Sequence, residues 1–500
     1  MSRDRIAARG GPLHDIRKIV GVRPASAREF VLLVEGFSTW RWDVLRLVAE
    51  QVESLWDEVL PAAARELPED LARLDRVLAD PALVAPIAES WQVEARGQGR
   101  PSIAMASFVR LMVVKQRTGW GYETLVREVS DSLHLRRFCL IGIDRPVPDE
   151  STVRKLVRRL GAEVVEEMTR CVITKAVRET RFRARAARVD STVVEADIRY
   201  PSDAMLALQG VRALARQGRN VGRLLKREAV RVRDRSRSLG RTVRAISRSL
   251  SRRTGAALEQ ILAFNQQAGR IASRSAREAC RLAAQARASA RGRGARRKLE
   301  AAAVLEQLAG RCLKVVDQID RRVRGLKISD RLVSISDPDA RPIRKGKLGK
   351  PTEFGYVAQL CELTENTRPG ARGLLLPAAH AIGNPSENRL LTQTAAELDR
   401  AGLRPKELVA DGGFLPELTR EAFPDLNPEQ IQIASRHEPG SRRTRRRRAR
   451  YRTGIEGRIS HLKRGYGLRR SRLKGHTGMR TWTGWAILAY DLDTLAIRAH

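Results

Sequence analysis

Apolar residues recur at helical spacing through the first ninety positions, as in VLRLVAEQVESLWDEVL (44–60), which stops at Pro61. Residues 1–90 therefore read as a helical extension. The next segment predicts shorter helices around tight turns. SIAMASFVRLMVVKQ (102–116) enters at Pro101–Ser102, and Gly119-Trp120-Gly121 breaks it. YETLVREVSDSLHLRRF continues as helix, and PVPDESTVRKLVRRLG (146–161) gives a proline turn, a basic helix and a closing glycine. Residues 91–165 thus form a helical, helix-turn-helix-like unit suited to DNA contact, with an ordinary bundle as the plainer reading.

At AARVDSTVVEADI (186–198) the period changes to two and β-branched residues take over, which predicts a strand. Residues 201–325, rich in Arg, Ala, Leu, Ser and Gln, are helical by propensity. Strands are expected again at DRLVSISD (330–337), FGYVAQLCEL (354–363) and RGLLLPAAHAI (372–382). A helix follows at 386–402, capped by Ser386 and stopped by Gly402. KELVADGGF (406–414) and EQIQIASR (429–436) add short strands, and 452–500 is helical. The order describes an α/β core interrupted by an α-helical insertion at 201–325.

Composition narrows the function. The 500 residues are 42% hydrophobic, which excludes wholesale disorder, and no run approaches the roughly 18 to 20 apolar residues of a membrane helix. The amino-terminal stretch lacks an apolar signal region, and five scattered cysteines without a CxxC pair fit reduced thiols, so a cytoplasmic protein is expected. The formal charge is +38, and its placement is uneven. Residues 201–325 hold 30 basic and 9 acidic side chains (net +21), and residues 436–480 hold 17 and 2 (net +15). Two local concentrations predict a polyanion, nucleic acid, as partner.

Three carboxylates could carry chemistry. Asp190 lies mid-strand, where a carboxylate is costly unless paired, hydrogen-bonded or bound to metal. Asp411 ends the apolar strand ELVA and precedes Gly412-Gly413, at the strand end where open α/β sheets place ligands. In a helix, Arg452, Glu456 and Lys463 stand at i, i+4 and i+11, within about 40° on one face. Each alone has a plain reading: an edge aspartate, a turn aspartate, a surface ion-pair stripe. Together, D…D…E matches a two-metal phosphodiester site, and hard oxygen ligands favour magnesium or manganese.

These residues give the chain its resemblance to the DDE transposases of bacterial insertion sequences. VDSTVVEADIRYPSD (189–203) is similar to the first-aspartate strand of that family, VADGGF (409–414) to the second-aspartate block, and Arg452-x3-Glu456-x6-Lys463 to the glutamate motif. SDPDARPIRKGKLGKPTEFGY (336–356) resembles the linker into the later core strands, and 98–161 resembles the domain that often precedes the core. Related glutamate motifs carry a tyrosine seven residues before the glutamate; Ala449 stands there, and Tyr451 is two residues away.

The resemblance implies an RNase H-like core built from 180–200 and 326–490, interrupted by the insertion. It implies that Asp190, Asp411 and Glu456 bind two Mg2+ or Mn2+ ions, and that water and then a 3′-hydroxyl attack phosphodiesters at transposon ends and in target DNA. Arg452 and Lys463 would meet phosphate, with Lys345, Lys347 and Lys350 as secondary contacts. A homodimer or larger assembly on DNA, associated with the nucleoid, is implied as well. His461, a lone helical histidine, reads as structural. The competing functions are a non-catalytic DNA-binding relative and a metal nuclease without strand transfer.

Overall fold

The computed structural model describes residues 59–90, 103–225, 230–252, 254–344 and 352–499. Residues 44–58 of the expected 44–60 helix, most of the 1–90 extension, the Pro101–Ser102 entry and Lys345, Lys347 and Lys350 lie outside the described residues.

The chain begins with short helices α1 (Ala62–Arg65), α2 (Glu69–Leu78) and α3 (Ala85–Ser90). The segment α4 (Met105–Thr118) is buried over nearly its whole length and ends at Gly119, whose φ of 71° closes it with a left-handed cap. Ser132 separates α5 (Tyr122–Asp131) from α6 (Leu133–Phe138), its hydroxyl accepting from the Leu135 amide. Asp149 caps α7 (Glu150–Glu179), which bends at Gly161 (φ 71°). The glycine closing the basic helix is therefore a kink between two helical runs. Lys155, Arg158 and Arg159 face solvent on the first of them.

A mixed sheet follows, its order β2 (Arg341–Ile343), β3 (Glu353–Thr364), β1 (Ala186–Ala196), β6 (Glu407–Ala410), β7 (Ile431–Ile433). The strands β1 and β3 are antiparallel, whereas β1, β6 and β7 run parallel. Short β4 (Leu374–Leu375) and β5 (Ala379–Ala381) pair with β3, and β8 (Arg470–Ser471) pairs with the end of β1. Between β1 and β2 the insertion forms α8 (Asp203–Leu225), α9 (Ser236–Leu250), α10 (Gly255–Ala288) and α11 (Ala295–Val323). Helix α12 (Asn388–Arg400) lies between β5 and β6, α13 (Pro416–Ala422) between β6 and β7, and α14 (Arg442–Gly465) between β7 and β8, while α15 (Gly475–Arg498) follows β8.

Core placement divides the molecule. Helices α2 to α7 share one hydrophobic core with the sheet and with Trp482, Trp485 and Leu488 of α15. The insertion has its own core, with Leu214, Leu239, Leu282, Leu305 and Ile319 among its members. Small alanines predominate in α10, so its neighbours approach closely.

Three expected elements differ. Residues 330–337 form no strand: Leu332, Val333 and Ile335 are buried, and the Leu332 backbone exchanges hydrogen bonds with the Gln318 side chain on α11. The alternation there serves side-chain packing without a strand partner. The stretch 372–382 is split into β4 and β5, with Pro377 between them. Ser386 offers α12 only its backbone carbonyl, which accepts from the Arg389 amide; its hydroxyl caps nothing.

Candidate active site

Strand β1 is buried at every position except Asp190, which is half-buried. Its Oδ1 accepts the Ser191 amide at 2.7 Å. The parallel register of β1 with β6 runs Arg188 against Val409 and Val189 against Ala410. Asp190 and Asp411 are the residues that follow this last pair, so Asp190, in the middle of β1, stands next to Asp411 just past the carboxyl end of β6, with backbones separated by about the 4.8 Å of neighbouring strands. Gly412 is dictated by crowding, since a Cβ there would come within 2.8 Å of the Ala434 carbonyl oxygen.

Helix α14 delivers the third acid. Tyr451, Ile455 and Leu462 are its buried stripe, and Arg452, Glu456 and Lys463 follow each of these by one residue, about 100° around the helix. They therefore lie on the flank beside the sheet. Arg452 Nη1 donates to Asp411 Oδ1 at 3.2 Å and to Glu456 Oε1 at 2.9 Å. One guanidinium joins the second aspartate to the glutamate, 45 residues later in the chain. Lys463 is half-buried on the same flank.

The structure thus sets Asp190 beside Asp411 and links Asp411 to Glu456. Among the described residues, no three carboxylate, imidazole or thiolate groups gather closely enough to hold a metal ion. The donor chemistry nevertheless fits a hard divalent cation: all three groups are oxygen ligands, and two of them already share a cation, the Arg452 guanidinium. Asp411 and Glu456 are open to solvent, with side-chain exposures of 46% and 57%, so an ion has access.

Beneath the acids lies a network that the sequence reading missed. Arg188, two residues before Asp190, is 1% exposed and pairs with Glu362 of β3, which is fully buried. Its Nη1 donates to the Tyr451 carbonyl of α14 at 2.6 Å. The other oxygen of Glu362 accepts from Arg458 of α14 at 3.0 Å and from the Gly373 amide at 2.9 Å. Gly454 permits this approach, because a Cβ there would strike Arg188 Nη1 at 2.0 Å. The network fastens the strand carrying Asp190 to the helix carrying Glu456. A charged residue in an apolar strand was the signal, and it applied to Arg188 and Glu362 as much as to Asp190.

Tyr451 belongs to this interior. Its ring lies against the Arg188 guanidinium, 4.6 Å from the charge centre, and its hydroxyl hydrogen-bonds Thr364 at 2.7 Å. Burial raises its pKa, and it presents nothing to a ligand. His461 packs edge-on against Tyr466 and Tyr490, with its pKa lowered by burial and then by nearby arginines. Cys139, Cys312 and Cys361 are buried thiols, and all five cysteines are free. No described helix is long and apolar enough to cross a membrane.

Two family models match the chain. Residues 62–159 match a transposase domain (DUF772), and residues 370–492 match a transposase DDE domain. The second segment contains Asp411, Arg452, Glu456 and Lys463; strand β1 with Asp190 and the helical insertion lie outside both. No curated protein and no solved structure matches the chain.

Proposed function

For a chain that carries the domains of an insertion-sequence DDE transposase, we propose metal-dependent phosphodiester hydrolysis at transposon ends followed by strand transfer into target DNA. The observation that carries this reading is the placement of Asp190, mid-way along β1, beside Asp411 at the end of the parallel strand β6, with Arg452 tying Asp411 to Glu456. The sheet order, three antiparallel members followed by two parallel ones, supports an RNase H-like core.

Asp190, Asp411 and Glu456 would hold two magnesium or manganese ions. When bound, such ions acidify the attacking oxygen and neutralise charge on the leaving oxygen. The chain's own residues do the rest. Arg188 and Glu362 keep β1 and α14 in fixed relation, so the acids keep their mutual placement. Arg452 changes partner: it neutralises two carboxylates in the absence of divalent ions and turns to phosphate oxygens once DNA is seated. Lys463 adds a second phosphate contact from the same flank. Lys345, Lys347 and Lys350 remain proposed contacts for the strand beyond the cut. Two ends must be held together for transfer, so the working form is a dimer or larger assembly on DNA.

The test uses donor duplexes carrying the inverted repeats that flank the gene, a supercoiled target, and Mg2+ or Mn2+. Wild-type protein should yield nicked ends and joined product. Asp190→Asn, Asp411→Asn and Glu456→Gln should each abolish both. Joining that survives one substitution removes that residue from the site, and cutting without joining makes the protein a nuclease.

A further inference from the structure

Most of the net positive charge lies in the insertion, which neither matched segment reaches. Its arginines follow a spacing. R-x3-R-x2-R-x3-R begins at Arg212, at Arg237 and at Arg270, once each in α8, α9 and α10. At about 100° per residue, four such positions fall within roughly 60° of one another and cover about 16 Å of helix. Each set is exposed throughout. The opposite faces supply the insertion's core.

Helix α9 shows the pattern most plainly. Arg237, Arg241, Arg244 and Arg248 face solvent, while Leu239, Thr242 and Ile246 are buried. None of the four forms an ion pair among the described residues, and no acidic residue occurs between Asp234 and Glu259. Arg235, just before the helix, is different: Glu278 of α10 holds it at 2.5 Å. The fold therefore pairs the arginine that faces a neighbouring helix and leaves the outward stripe uncompensated. Like charges at i, i+4 spacing destabilise a helix, so the stripe is unfavourable in the free protein and favourable against a linear polyanion.

We propose that the insertion is a second DNA-contact surface, separate from the carboxylate site, which holds the sugar-phosphate backbone of duplex DNA through these arginine stripes without reading sequence. The proposal rests on the transposase reading only for the identity of the polyanion.

The test compares the full-length protein with the R237Q/R241Q/R244Q/R248Q variant. Binding to a labelled random-sequence 30-base-pair duplex is followed by anisotropy between 50 and 300 mM salt, with EDTA present. Each lost phosphate contact removes about 0.9 from the slope of log K against log[salt], so the slope should fall by about three to four, and affinity near 0.1 M by more than tenfold. An unchanged slope overturns the proposal. The corresponding four-lysine variant should keep the wild-type slope; if it loses the slope as the glutamine variant does, the arginines are structural and the proposal fails. Duplex RNA or polyglutamate bound more tightly than the DNA would overturn the choice of partner. Metal-dependent cleavage is measured in parallel at saturating protein. Wild type that binds but never cuts overturns the catalytic reading and leaves this one standing. A cutting wild type whose slope survives in the glutamine variant does the reverse.

Discussion

Arginine is used in opposite ways by the sheet core and the insertion. In the core, Arg188, Arg452 and Arg458 each face a carboxylate, and the buried pair Arg188–Glu362 holds a strand to a helix. In α9 the arginines face outward without an acid. Inside, a charge must be answered, because desolvation makes an unpaired ion costly. Outside, an unanswered charge is cheap and creates a field that reaches a ligand. Charge counted along the sequence does not separate these uses; burial and partners do.

The separation can be broken experimentally. The largest effect should come from Asp190→Asn or Asp411→Asn: single-turnover cleavage should fall on the order of a thousandfold or more while far-ultraviolet circular dichroism is unchanged. If either variant retains wild-type cleavage, the core has no catalytic claim on that residue. Next is Glu362→Gln, which strands Arg188 and Arg458 in the interior. Urea denaturation should show a loss of about 3–5 kcal/mol, with no change in the salt dependence of DNA binding. A changed salt slope would mean that these arginines reach DNA after all.

Acid should weaken the core in a way that the insertion does not share. His380 of β5 is buried, and burial first, then His476 and Arg480, lowers its pKa to about 3. The folded value lies below the unfolded value near 6.5, so the stabilising contribution is complete above pH 6.5 and is lost as pH falls toward 3. Over that window wild type should lose up to about 1.4 kcal/mol per pH unit relative to His380→Asn. Parallel curves for the two proteins would remove His380 as the cause. The smallest effect belongs to the stripe: R237Q/R241Q/R244Q/R248Q should leave thermal stability within about 0.5 kcal/mol of wild type. A loss above 2 kcal/mol would show that those arginines hold the fold together.

Local pattern made much of this legible. Strand β1 follows the predicted 186–198 closely, β3 spans the expected 354–363, and the four insertion helices lie where propensity placed them. A glycine pair after an apolar run marked Asp411, helical spacing grouped Glu456 with Arg452 and Lys463, and the structure joins Arg452 to both acids. Residues 330–337 misled, since alternation reports burial and cannot say whether the backbone partner is a strand or a glutamine side chain. The Arg188–Glu362–Arg458 network was invisible for a related reason: 174 residues separate its first pair, and no periodicity spans such a distance.

The position of the insertion also orders the birth of the molecule. Strand β1 ends at Ala196, and its neighbours β3 and β6 start at Glu353 and Glu407. At ribosomal rates of about 5–20 residues per second, β1 waits roughly ten to thirty seconds with both edges unpaired. The insertion, built on contacts between consecutive helices, is complete by Val323 and can collapse during that wait. Pulse proteolysis of ribosome-stalled chains ending near residue 370, long enough for α11 to leave the ribosome while β3 is still inside it, should find α8 to α11 protected and β1 cut; equal sensitivity would refute this order. Each newly made copy would then acquire its arginine-lined helices first, and Asp190, Asp411 and Glu456 would come together only after α14 has emerged and packed against the sheet.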